Sequence, residues 1–315
     1  MIDAHVAGGR PALNLTSASR PARPGYDHGW FSYRAMPSSS APAWPGDRPL
    51  AVAVILDVRA AEWESVAPAV PVPGGRGIAP YPDYPRLSHR EFGHRVGVWR
   101  LSKMLADLQI PWTGVLDVLT AEHYAPVREL VVDQASQIAA GGLSASRPIT
   151  SAMVEPEERA YVEATLERLD AALGATPRTW MGPGWSQSAA TPGILADAGV
   201  KVMLDWGNDD APYRVDAADP LWSVPVSWEL TDVAAMFERD VEPAVYADSV
   251  EGAVEVLARD GARNPRMLCL HLHPWLSGEA FRARVLRPVL TRLAQRDDVW
   301  LATPEQMVVH LAGGL

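Results

Sequence analysis

The sequence predicts an α/β chain folded as a parallel (β/α) barrel, and three observations carry that prediction. Eight short apolar runs of strand character recur between residues 51 and 302. Amphipathic helical patterns separate most of them, which is the alternation that crossover-connected parallel strands require. No glycine-rich phosphate loop follows the first run, which argues against an open dinucleotide-binding sheet.

Residues 1–46 are rich in Gly, Pro, Ser and Arg without sustained periodicity, and predict an N-terminal arm ahead of a single barrel domain over 47–315. The strand runs lie at 51–57, 113–118, 137–141, 179–183, 200–205, 221–226, 267–273 and 299–302. Between them, Val98, Leu101, Leu105 and Leu108 form one apolar helical stripe, and Val162, Leu166, Leu169 and Leu173 another. Pro156, followed by Glu157 and Glu158, starts the second of these helices, and Gly174 stops it. The stretch 63–88, dense in Pro and Gly, predicts a lid or subunit contact. Barrel chemistry gathers at the C-terminal strand ends. That rule selects Asp57 and residues 141–144, 183–185, 205–210, 228–229, 271–273 and 303–305.

Composition narrows the function classes. Apolar residues are 48% of 315, enough for a sizeable core, and the net charge of −10 comes without a basic stripe. Nucleic-acid and anionic-membrane partners are thereby disfavoured. A lone cysteine, Cys269, cannot form an internal disulfide, and no signal-like or membrane-spanning apolar run is present. The expectation is a soluble cytoplasmic protein. Trp outnumbers Phe by 12 to 4, which supplies flat apolar faces for a small-molecule pocket or for core and subunit interfaces.

The strand-end segments carry a resemblance. They are WPGDRPLAVAVILDV at 44–58, REFGHRVGVWRL at 90–101, SRPITSAM at 146–153, GPGWSQSAATPGILADAG at 182–199, LDWGNDDAPY at 204–213, SVPVSWELTD at 223–232 and LHPWLSGEAFRARVL at 272–286. In these the chain resembles the polysaccharide deacetylase superfamily of NodB-homology type. The resemblance is to its intracellular branch of cofactor-independent allantoinases and cyclic-imide hydrolases. It implies a distorted (β/α) barrel of about seven strands, a small-molecule substrate, no cofactor, and a homo-oligomer, dimer or tetramer. Metal-dependent members carry an acidic pair after the first strand and an H-x-x-x-H motif after the third. Here the motif positions are Gly141 and Ala145, which cannot bind metal, so no metal is expected. Where the branch has a glutamate two residues after its first-strand terminus, this chain has Arg59. His273 matches the family histidine that serves as general acid.

Several side chains remain as candidates. Residues i and i+2 of a strand share a face, so Cys269, His271 and His273 should point into the barrel while Leu268, Leu270 and Leu272 pack under helices. Three readings of His271 stay open: a metal ligand with His273, an acid–base partner of His273, or a space-filler for the missing histidine at 141. Asp57 is the surviving first-strand carboxylate, and Glu64 follows in the loop. The acidic turn offers Asp205 or Asp209 nearest the pocket, beside Trp206. Trp185, Trp228 and Glu229 should line the mouth. Arg95 and Arg147 either bind a substrate carboxylate or brace loops. Cys269 has no flanking cation and reads as inert. The favoured function is metal-independent hydrolysis of a small cyclic or acylated C–N substrate, with His273, Asp57 and His271 catalytic. The alternatives are a non-hydrolytic biosynthetic cyclase, lyase or isomerase, and a ligand-binding pseudoenzyme.

Overall fold

A computed structural model describes residues 28–36, 41–64, 83–216 and 220–314, so most of the predicted lid at 63–88 and much of the arm lie outside the described residues. One sheet is built from β1 (Leu50–Asp57), β2 (Trp112–Leu116), β3 (Gln137–Ala140), β4 (Thr179–Trp180), β5 (Val202–Met203), β6 (Tyr213–Val215), β7 (Leu221–Ser223), β8 (Arg266–Leu272) and β9 (Val299–Leu301). Its order is β6-β7-β5-β4-β3-β2-β1-β8, with β9 beside the first half of β1. Among the described residues, β6–β7 is the only antiparallel pair of this sheet's strands. The sheet curls into a half-barrel wrapped by helices. They are α1 (Tyr84–Phe92), α2 (Val98–Asp107), α3 (Val118–His123), α4 (Ala125–Gln134), α5 (Glu155–Leu173), α6 (Thr191–Asp197), α7 (Pro243–Gly261), α8 (Pro274–Ser277), α9 (Ala280–Ala294) and α10 (Pro304–Ala312). None of them is long and apolar enough to cross a membrane.

The central strand explains where the site sits. Every residue of β1 is buried, as expected for a parallel strand covered on both faces. Leu50, Val52, Val54 and Leu56 join the outer core under the helices, with Leu268, Leu270 and Leu272 of β8. Ala51, Ala53 and Ile55 face the lumen, which Met181, Val202, Leu204, Met267 and Cys269 help fill. Alternation therefore puts Asp57 last on the lumen face of β1. The register pairs Ile55 with His271, which brings the next lumen positions, Asp57 and His273, to the same rim.

Helix ends follow the sequence signals. Helix α5 begins with Pro156 in its first turn and ends at Gly174, whose φ of 76° is the left-handed stop glycine adopts readily. Two π-helical turns, Gly93–Gly97 and Val233–Glu238, flank the barrel mouth. At Gly97 a Cβ would lie 1.9 Å from the Pro274 carbonyl oxygen, so only glycine lets α8 seat there. Trp44 closes the opposite end, buried with its indole N–H donating to the Arg266 carbonyl at 2.7 Å. Residues 303–305 also lie at that end, because β9 pairs with Leu50–Val52 rather than with the rim half of β1. There the Glu305 amide donates to Gln137 Oε1 at the start of β3, which corrects their expected rim position.

Candidate active site

Four elements meet at the mouth: the end of β1, the tight turn after β4, the segment 231–238, and the junction of β8 with α8. With Arg90 of α1 and Ala145 of the loop after β3, they enclose a cavity of about 80 Å³ lined also by Asp57, Arg59, Trp185, His271, His273 and Trp275. Because Pro274 has no N–H, β8 stops at Leu272, and His273 caps α8 with its ring at the rim. The His271 and His273 rings are 4.6 Å apart, as strand alternation predicts.

His273 is held by a residue that sequence reasoning passed over. Asp232 Oδ1 accepts from His273 Nδ1 at 2.7 Å, while Oδ2 accepts from the His273 amide at 2.7 Å and the Ser277 hydroxyl at 2.6 Å. Asp232 is fully buried, so this carboxylate fixes both the ring orientation and the tautomer: Nδ1 carries the hydrogen, and Nε2 looks into the cavity. Nε2 lies 3.5 Å from Asp57 Oδ2. The arrangement is a carboxylate–imidazole dyad at the cavity edge, with a second carboxylate, Asp57, beside its Nε2. The only advance signal for Asp232 was its place in the SVPVSWELTD segment.

Asp57 faces both histidines and a cation. Arg59 Nε donates to its Oδ1 at 2.9 Å and Nη2 to its Oδ2 at 2.5 Å, a bidentate pair almost entirely out of solvent. Burial pushes the Asp57 carboxyl up, but Arg59, His271 and His273 outweigh it and hold the group well below the usual carboxylate range. His271 donates from Nε2 to Asp57 Oδ2 at 3.2 Å, and its Nδ1 has no partner among the described residues. Burial, then the neighbouring His273, lower its pKa, so His271 is the neutral, deeper member of the pair.

The remaining candidates divide. Trp185 lines the cavity, with φ of 53° in a turn whose Gly184 is also left-handed, and its indole meets His271 edge-on at 5.8 Å. Trp228 stacks on Trp185 at 5.6 Å from outside the cavity. Trp206 packs instead against Phe31 of the arm at 5.5 Å. Asp205 is buried beneath the floor and accepts from the Gly182 amide at 2.7 Å, and burial pushes it up to about 7. The structure corrects four expected contacts and, for Arg147, gives the loop-bracing alternative. Asp209 is exposed and caps its own turn through the Asp210 amide, and Glu64 is exposed. Glu229 points out and pairs with Arg239 at 3.2 Å. Arg147 pairs with Glu62 at 2.6 Å and braces the loop after β1. Arg95 is exposed on the π-turn Gly93–Gly97, and Arg90 lines the cavity instead. The Arg90 guanidinium lies over Trp275, 4.9 Å from the ring centroid, and burial lowers it to about 10. Cys269 is buried, which pushes its thiol up to about 12 and removes it as a nucleophile.

The sequence left open a metal held by His271 and His273, and the structure sets a carboxylate beside them. Ligand atoms of Asp57, His271 and His273 all lie within 4.8 Å of one another, close enough for one ion. The site nevertheless does not fit a divalent cation, because the oxygen such an ion needs is already bonded to the Arg59 guanidinium. A unit charge and a doubly charged ion about 4 Å apart repel by roughly 8 kcal/mol at an effective dielectric near 20. Gly141 and Ala145 offer no ligand to compensate.

Comparison with known proteins shows where this half-barrel recurs. No family model matches the chain. A candidate polysaccharide deacetylase of Schizosaccharomyces pombe is 27% identical over 260 residues, covering 73% of this chain and 79% of that protein. The crystal structure of another candidate polysaccharide deacetylase, from Pseudomonas aeruginosa PAO1, superposes with a TM-score of 0.78 at 23% identity, covering 87% of this chain and 94% of the other. That of the allantoinase PuuE superposes with a TM-score of 0.77 at 20% identity, covering 90% and 98%. The chain is thus similar to polysaccharide deacetylases and shares the NodB-type (β/α) barrel fold of these structures.

Proposed function

We propose that the protein is a metal-independent hydrolase of a small cyclic or acylated C–N compound, with His273 as the proton-transfer group. The observation that carries this reading is the His273–Asp232 dyad, whose Nε2 borders the cavity beside Asp57. Polysaccharide deacetylases and allantoinases, the proteins this chain is similar to, hydrolyse C–N bonds, and a cavity of about 80 Å³ suits a small reacting group.

The steps follow from the geometry. His273 Nε2 takes a proton from water as the water oxygen adds to the acyl carbon, and the C=O electron pair moves onto the carbonyl oxygen. The carbonyl then reforms, the C–N bond breaks, and the proton passes from Nε2 to the leaving nitrogen. Asp57, held ionised by Arg59, balances the imidazolium between these steps. His271 keeps Asp57 in place from below. Trp185 and Trp275 provide apolar walls for a planar substrate.

The test is a panel of hydantoin, allantoin, succinimide, dihydrouracil and N-acetylated amines, incubated with chelator-treated protein and followed by NMR for ring opening or deacetylation. Turnover that disappears in His273→Ala supports the reading. Turnover that requires added metal, or that survives in His273→Ala, overturns it.

A further inference from the structure

We infer that the Arg59 guanidinium is the resident cation of this site, excluding a divalent ion and presenting its one remaining N–H to the carbonyl oxygen of the substrate. The second part rests on the hydrolase reading above.

Steric fit shows that Arg59 has a built place. A Cβ on Gly141 would lie 2.6 Å from Arg59 Cδ and 2.9 Å from Cγ, so a side chain at 141 and this arginine conformation exclude each other. The absent ligand and the present arginine are one substitution in physical terms. Charge fits as well. Burial lowers the Arg59 pKa, but Asp57, Asp117 and Asp205, all buried at strand ends, outweigh burial and raise it. A guanidinium stays protonated under all working conditions, so it can hold this position permanently.

Its donors leave one direction open. Nε and Nη2 bind Asp57, while Nη1 donates to the carbonyl oxygens of Gly182 at 2.8 Å and Met181 at 3.2 Å. Four of the five N–H groups are thus engaged, and the fifth, on Nη2, has no acceptor among the described residues. Arg59 forms part of the cavity wall. A fixed, desolvated N–H of a cation beside the proton-transfer imidazole is where a developing oxyanion gains most.

Co²⁺ alone is the probe for the first part. The wild-type protein should show neither the visible absorption of bound Co²⁺ nor a Co²⁺-dependent rise in melting temperature. Arg59→Ala and Arg59→Gln should bind one Co²⁺ and melt higher with it, and adding His271→Ala should abolish both effects. If Arg59→Ala fails to fold, Arg59→Gln, which keeps side-chain donors for the neighbouring acids, decides. One Co²⁺ held by wild-type His271 and His273 would overturn the inference, as would metal-free Arg59 variants whose circular dichroism is native. For the second part, Arg59→Lys should lower kcat on any panel compound roughly 100- to 1,000-fold with little change in KM, and added guanidinium ion should restore part of the rate in Arg59→Ala. Unchanged kcat in Arg59→Lys refutes the oxyanion role. A panel without turnover sinks the hydrolase reading, and the Co²⁺ result still stands or falls by itself.

Discussion

Truncating His273 empties one wall of the cavity but leaves Asp232 with two partners, the residue-273 amide and the Ser277 hydroxyl. The ring is 15% exposed and Asp232 Oδ1 loses its ring partner, so His273→Ala should lower the melting temperature by a few degrees while the fold is kept. Turnover should fall roughly 100- to 10,000-fold, the usual cost of losing an acid–base group. Asp232→Asn is the sharper probe, because it preserves shape while replacing an acceptor with an amide that can donate to Nδ1. The imidazole would then carry its hydrogen on Nε2 and could not accept a proton there, so the rate should drop by about the same factor. Circular dichroism and steady-state kinetics on one preparation check both variants; an active Asp232→Asn enzyme would remove the dyad from the mechanism. At this scale the sequence was only half legible. Strand alternation placed Asp57, His271 and His273 correctly because it is a local rule. Asp232 reaches His273 across 41 positions, and no local spacing encodes that distance. Arg59 was visible as a departure from a pattern, but its meaning needed the collision with Gly141.

Strands and helices were more legible than side chains, because buried parallel strands are continuous apolar runs. The eight expected runs coincide with β1 to β5 and β7 to β9, although β4 and β5 shrink to two residues each. Strand β6 went unseen: Arg214 at its centre is exposed, and it lies antiparallel at the sheet edge, where little burial shapes the sequence. The π-turns were also invisible, since a single extra residue per turn alters phase without altering composition. One of them sets up a test at the element scale. Gly97→Ala would drive a methyl to 1.9 Å from the Pro274 carbonyl oxygen and push α8 off its seat, taking His273 with it. Stability should fall by about 1–3 kcal/mol or more, as overpacking does, and activity should fall further than stability explains. Gly193 in α6 is the control, because nothing lies within 4 Å of its added Cβ. Gly193→Ala should stabilise by roughly 0.5–1 kcal/mol. Chemical denaturation of the two variants side by side separates the contact from the intrinsic preference of helices for alanine.

The molecule as a whole carries a net charge of −10, yet it buries three carboxylates around one guanidinium, and their titrations pull in opposite directions. Burial raises Asp117 and Asp205 to about 7 from an ordinary 3.8, despite the amides of Thr120, Ala60 and Gly182 that donate to them. A raised acid binds its proton more tightly folded than unfolded, so its stabilisation is complete below pH 3.8 and is lost as pH climbs to about 7. Asp57 is lowered, so its contribution is present above 3.8 and lost as pH falls below that value. His271, lowered from 6.5, likewise favours the folded state above that pH and costs stability beneath it, but it is one group against two. Long-range repulsion acts with the raised pair, since the chain approaches neutrality near its isoelectric point of about 5.3. The melting temperature should therefore rise from pH 8 towards pH 5 and drop steeply below pH 4. Asp205→Asn separates the local cause from the global one, because Asp205 Oδ2 has no partner to lose among the described residues. The variant should melt above wild type at pH 8 and beside it at pH 5, read by calorimetry at constant ionic strength. A wild-type protein that grows steadily more stable from pH 5 to pH 8 would mean that the backbone donors, not burial, govern Asp117 and Asp205. The ring of acids around Arg59 would then be fully ionised in the working enzyme.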